Sequence, residues 1–153
     1  MTIKEIMKKP ISIKQDDEIY DLIKLLRTHK ISGVPVLDND NYLVGIVSES
    51  DVIRALVVQD SDINLIAPSP LDLVELPLKT IFKMDEYRKE INEALKTKVS
   101  EIMTTDVIYI TADSSVSDAA TLMADKKINR LPVVNNGILE GIITRGDLME
   151  ELI

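Results

Sequence analysis

The apolar positions of the chain fall into two stretches that carry the same pattern. Ile19, Leu22, Ile23 and Leu26 recur at helical spacing, and so do Val116, Ala119, Ala120 and Met123, so each stretch predicts one helix. Asp16 and Asp113, just ahead of these helices, are expected to cap them. Upstream, Ile11 to Ile13 and Val107 to Ile110 read as short strands. Downstream, Val34-Pro35-Val36-Leu37 and Tyr42 to Val47 flank the polar turn Asp38-Asn39-Asp40-Asn41 and predict a hairpin. In the second stretch Asn136-Gly137 is the strongest short-range hairpin signal. Pro35 and Pro132 lie inside strand-like runs, where the missing N–H predicts an edge position or a strand start. A second helix is expected from Ser48 and from Thr144. The order is strand, helix, strand, strand, helix, and it occurs twice.

Slid against itself, the sequence matches at an offset of 96, where Ile3, Glu5, Ile6 and Met7 fall on Val99, Glu101, Ile102 and Met103. A one-residue insertion moves the offset to 97, and Asp16, Leu25, Lys30, Ile31, Pro35 and Val36 then meet Asp113, Leu122, Lys127, Ile128, Pro132 and Val133. A compensating deletion in the hairpin turn restores 96. Leu43, Gly45, Ile46, Ser48 and Asp51 then meet Leu139, Gly141, Ile142, Thr144 and Asp147. The chain is thus two copies of one unit, each near the lower size limit for an independent core, so the two are expected to pack together. The predicted organisation is a first unit over 1–57, an insert over 58–97 and a second unit over 98–153. The insert passes Pro68, Pro70 and Pro77 and carries an apolar run from Leu71 to Phe82. It turns helical from Asp85, with Met84, Tyr87, Ile91 and Leu95 on one side. Two uses stay open for it: a linker folded back over the core, or a dimer surface.

Composition narrows the function. The 153 residues include no Cys and no Trp, one Phe and four Tyr. Thiol redox chemistry and Cys-based zinc sites are excluded, and a platform of rings for stacking single strands is lacking. A net charge of −8 opposes nucleic acid and anionic membrane surfaces. No apolar run of roughly 18 residues and no signal-peptide layout occurs, so the expectation is a soluble cytoplasmic protein. Asp60-x-Asp62-x-Asn64 begins like a calcium loop, but Leu65 and Leu71 stand where Gly and Glu are required. His29 is the only histidine and is expected to face solvent at a helix end, so a multi-histidine metal site cannot be built within one chain. P-loop and Rossmann glycine patterns are missing. With no nucleophile–base pair and no metal set, an enzyme is not expected.

Ser48-x-x-Asp51 and Thr144-x-x-Asp147 each have the form of a capping box ahead of an apolar helix. The same geometry suits a ligand, because a helix N-terminus attracts phosphate. The copies differ in charge. Asn129 and Arg130 precede Leu131-Pro132, and Arg145 lies inside the last motif, whereas the first copy has Gly33 and Glu49 at the positions of the two arginines.

Taken in order, Glu-Ile-Met near each start, Gly33-Val34-Pro35-Val36 and Arg130-Leu131-Pro132-Val133, then Gly45-Ile46-Val47-Ser48-Glu49-Ser50-Asp51 and Gly141-Ile142-Ile143-Thr144-Arg145-Gly146-Asp147, resemble the CBS domain. The whole chain is similar to a stand-alone tandem CBS pair, a Bateman module, with only the insert outside the likeness. The resemblance implies an α/β (α+β) fold of two pseudo-symmetric β-α-β-β-α units packed through their sheets, two clefts, and a homodimer. It also implies a regulator that binds an adenosine-containing effector: AMP, ADP, ATP, S-adenosylmethionine or NAD. On that basis the hydroxyl of Thr144 shares the phosphate and the carboxylate of Asp147 holds the ribose.

The main site is expected to comprise Thr144, Arg145, Gly146, Asp147, Asn129, Arg130, Pro132, Val107 and Ile108. A weaker second site would use Ser48, Ser50, Asp51, Pro10, Ile11 and Pro35, with Glu49 opposing a phosphate there. The adenine slot would be aliphatic, with Tyr109 and Ile128 beside the main-site residues and Ile31 in the other half. The rival reading is a ligand-independent dimerisation or protein-interaction module in which both Ser/Thr-x-x-Asp motifs are only caps. A regulated partner protein is a further candidate partner.

Overall fold

The computed structural model describes residues 1–58 and 88–153. Most of the insert, including its prolines, its apolar run and Asp60-x-Asp62-x-Asn64, lies outside the described residues. The first copy contains α1 (Ile3–Ile6), β1 (Ile13–Lys14), α2 (Ile19–His29), β2 (Gly33–Leu37), β3 (Leu43–Ser48) and α3 (Glu49–Val58). The end of the insert is helical over 88–94 and is labelled α4. After a 3-10 turn at Val99–Glu101, the second copy contains α5 (Val116–Lys126), β4 (Arg130–Asn135), β5 (Ile138–Thr144) and α6 (Arg145–Glu150). The first sheet has the order β1-β2-β3, with β1 parallel to β2, and the second is the antiparallel pair β4-β5.

Three local expectations are corrected. The helices are capped at Glu18 and Ser115, not at Asp16 and Asp113. A cap must stand immediately before the first helical residue, and Ser115 meets that need: its hydroxyl accepts from the Asp118 N–H at 3.0 Å. Asp113 accepts instead from the Thr111 hydroxyl at 2.7 Å, and Asp16 lies 3.7 Å from Lys98. The strand expected over Val107 to Ile110 reduces to one parallel bridge, Ile110 to Val133. Its start explains Pro132. The Ile110 N–H donates to the Pro132 carbonyl and the Val134 N–H to the Ile110 carbonyl, so pairing begins just past the missing proline N–H. Pro35 is not on an edge strand, since β2 is central. It is tolerated because β1 reaches only Val36 and Leu37. His29 ends α2 and is exposed, as expected.

Two compact units form, and neither coincides with a sequence copy. One comprises Met1–Gln15, Val34–Ile46 and Thr104–Ile153, the other Asp16–Gly33 and Val47–Met103. Hydrogen bonding shows why. In the first unit the Ile3 N–H donates to the Ser114 carbonyl and the Lys4 N–H to that of Ala112, so the chain's leading helix is bound to the second copy. Ile3 and Ile6 are buried in one cluster with Ile110, Ala119, Met123, Leu131, Val133 and Ile143. In the second unit the Ile19 N–H donates to Thr97, the Tyr20 N–H to Leu95 and the Val99 N–H to Asp17. Each copy's leading segment therefore completes the other copy, which fits the small size of either one alone.

The hairpin tips meet within the first unit. Asn136 and Gly137 both have positive φ, the requirement of a type I′ turn. The Leu43 N–H donates to the Gly137 carbonyl at 2.9 Å, and a Cβ on Gly137 would stand 2.8 Å from Tyr42 Cδ1. Gly137→Ala is expected to lower unfolding free energy by about 1–2 kcal/mol, from the left-handed backbone and the displaced ring. Urea denaturation measures it, and an unchanged midpoint would show that the turn carries no such constraint.

Candidate functional site

Antiparallel pairing and a helix cap gather the second copy's polar residues. The β4-β5 register sets Arg130 opposite Thr144. Thr144 caps α6: its Oγ1 accepts from the Asp147 N–H at 3.2 Å, while its own N–H donates to Asp147 Oδ2 at 2.9 Å. The Arg145 N–H donates to the Asn129 carbonyl at 2.9 Å, tying the start of α6 to the residue before β4. Asn129, Arg130, Thr144, Arg145 and Asp147 therefore share one end of the sheet. Asp147 is buried, and no cation pairs with it among the described residues. Arg145, Gly146 and Asn129 are exposed.

The helix N-terminus itself has little left for an anion. α6 has six residues, and its Arg145 and Asp147 N–H groups are already engaged. An anion at this place would meet side-chain cations more than free backbone N–H groups. Gly146 leaves open backbone, since a Cβ there would meet only Thr144 Oγ1, at an ordinary 3.6 Å.

Beside this cluster is a cavity of about 720 Å³, and all of its lining lies in the first unit. Asn129, Arg130 and Arg145 line it, as does Ile128 from the expected adenine slot. Lys127, Met123, Leu148 and Met149 line it too, none of which the sequence had marked as binding residues. Thr144, Gly146, Asp147, Pro132, Val107 and Ile108 are not among its lining residues. Pro132 is fully buried, Val107 and Ile108 are half-buried, and Tyr109 is exposed.

The first copy repeats the cap with different electrostatics. The Ser48 N–H donates to Asp51 Oδ2 at 2.9 Å, and the Asp51 N–H to Ser48 Oγ at 3.4 Å. The remaining Asp51 oxygen, Oδ1, lies 3.6 Å from Arg54 Nη1. The repeat places Glu150 at the position of Arg54, so the second copy has no such pair. Ser48, Ser50 and Asp51 belong to one compact unit, and Pro10, Ile11 and Pro35 to the other. Among the described residues no group of His, Cys, Asp or Glu could hold a metal ion, and no helix is long and apolar enough to cross a membrane.

Comparison with known proteins places this geometry. The CBS domain model matches residues 3–58 and 99–153. Uncharacterized protein MJ1426 of Methanocaldococcus jannaschii is 54% identical, over 100% of this chain and 92% of that protein. The crystal structure of CBSX2 from Arabidopsis thaliana in complex with AMP superposes with a TM-score of 0.70 at 26% identity, covering 99% of this chain and 95% of that one. The CBS domain pair of protein MJ0100, in complex with 5′-methylthioadenosine and S-adenosyl-L-methionine, does so with a TM-score of 0.69 at 25% identity and the same coverage. Two matches to the CBS domain, which leave out little but the insert, make this chain a tandem member of the CBS domain family.

Proposed function

We propose that this protein is a regulatory sensor of an adenosine nucleotide, without catalytic activity, and that the second copy carries the principal site. One observation carries the reading. Strand pairing and the α6 cap bring Asn129, Arg130, Thr144, Arg145 and Asp147 to one end of a sheet, where the first copy has Gly33 and Glu49 instead of the two arginines. Arg130 and Arg145 bind phosphate, the open backbone at Gly146 admits it closely, and the Asp147 oxygen not used by the cap accepts from the ribose hydroxyls. Asp51 suits that role less well, because Arg54 already faces its second oxygen. The adenosyl ligands in the MJ0100 and CBSX2 complexes support the ligand class.

The nucleotide acts by binding one arrangement of the protein more tightly than another, which alters the surface offered to a regulated partner. The protein acts in the cytoplasm as a homodimer, without nucleic acid or membrane. Exposed Tyr20 and Ile53 are apolar residues that a second copy would cover. They also favour the second reading, a ligand-independent interaction module.

Thermal unfolding of protein stripped of carried-over ligand separates the two readings. Among AMP, ADP, ATP, S-adenosylmethionine and NAD, at least one should stabilise the protein. At roughly a hundred times its Kd the gain is about 2.7 kcal/mol. No shift with any of the five overturns the sensor reading in favour of the interaction module.

A further inference from the structure

We infer that the site selects a nucleoside di- or triphosphate over a monophosphate or an adenosyl cation, and that Lys127 is the residue that selects. The inference rests on the nucleotide reading above and deepens it. Three cations, Lys127, Arg130 and Arg145, line one cavity, with Asn129 beside them and no carboxylate in the lining among the described residues. That is a local concentration of positive charge in a chain whose net charge is −8.

The backbone at Lys127 is held in place, with the side chain exposed. It closes α5 in the left-handed conformation, with φ of 54°, and its N–H and that of Ile128 both donate to the Met123 carbonyl. A lysine at a helix C-terminus has a plain structural use, since it opposes the negative end of the helix dipole. Lys126, in the last turn of the same helix, already supplies that charge and does not line the cavity. Lys30 closes α2 with the same φ of 54°, but its companions at the equivalent positions are Gly33 and Glu49. Among the described residues, the second copy alone gathers three cations at these equivalent positions.

Charge matching then sets the ligand class. A terminal phosphate carries about −1.5 to −2, and each further phosphate adds another negative charge. Two arginines suffice for a monophosphate, and a third cation calls for a second phosphate. A sulfonium ligand without phosphate would meet repulsion. The engaged N–H groups of α6 strengthen the argument, because the helix terminus offers little to share the added charge. Asp147 does not line this cavity, so the ribose it holds stays outside, and the phosphate chain reaches into the cavity past Arg130 and Arg145, which belong to both.

The test is the set of dissociation constants of AMP, ADP and ATP, measured calorimetrically in chelator on ligand-stripped protein and on Lys127→Gln. ADP and ATP should bind the native protein about tenfold or more tighter than AMP, the contribution of one charged hydrogen bond. Lys127→Gln should remove that advantage while leaving AMP within about twofold, and Lys30→Gln should change neither. Equal affinity for AMP and ATP in the native protein overturns the inference, as does an ATP preference that survives Lys127→Gln. In both cases the sensor reading stands. Binding by none of the three, with S-adenosylmethionine or NAD binding instead, overturns the inference alone. Absence of all adenosyl binding overturns both.

Discussion

Ile3→Ala should destabilise the protein by about 2–5 kcal/mol, although it changes the third residue of the chain. Residues so near a terminus are ordinarily among the most tolerant of change. Ile3 differs because it is fully buried and its neighbours in the core come from α5, β4 and β5. The backbone is held as well, by the Ile3 and Lys4 N–H bonds to Ser114 and Ala112 and by the antiparallel bridge between Thr2 and Ser115. Truncation to alanine removes three carbons from a cluster of Leu131, Val133 and Ile143, where the cavity left behind adds to the lost burial. Ile153→Ala, at the fully exposed other terminus, should stay within about 0.5 kcal/mol. Urea denaturation of both variants checks the pair. Equal midpoints would refute the exchange of leading segments between the copies.

Arg130→Glu combined with Arg145→Glu should weaken nucleotide affinity by more than about a hundredfold, since each charge-assisted bond to phosphate contributes roughly 1.5–3 kcal/mol and each reversal adds repulsion. Arg145 is exposed and lies at the first position of α6, where an acid is compatible with the helix dipole, so Arg145→Glu alone should leave the fold intact. The native first copy carries Glu49 at that position. Loss of affinity in Arg145→Glu at an unchanged unfolding midpoint therefore reads the site and not the fold. Undiminished affinity in the double variant would remove both arginines from the site.

Much of this was legible in the sequence. Period and turn chemistry gave the helices, the Asn136-Gly137 turn and both Ser/Thr-x-x-Asp caps, because these depend on residues within one turn of each other. The N-caps were misplaced by two residues, since Asp16 and Asp113 look as suitable as Glu18 and Ser115 until the first helical residue is fixed. Val107 to Ile110 has strand composition, but composition does not say how far a neighbour extends, and only Ile110 pairs. The exchange of leading segments was hidden for a different reason: Ile3 and Val99 match each other in the repeat, and nothing in the match says which copy each one fills.

The candidate site divides along the same line. Arg130 and Arg145 stood out because the first copy lacks them. Lys127 did not, because Lys30 matches it and a lysine ending a helix is ordinarily a solvent residue. Its place in the cavity depends on how α5 ends against β4 and α6, which is a tertiary property.

The central claim is tested most directly by a crystal structure of the protein grown with the nucleotide that stabilises it most. The account predicts phosphate oxygens within hydrogen-bond distance of Arg130 and Arg145, and ribose hydroxyls on Asp147. A nucleotide found instead on Ser48 and Asp51, or no bound nucleotide at saturating concentration, would contradict it.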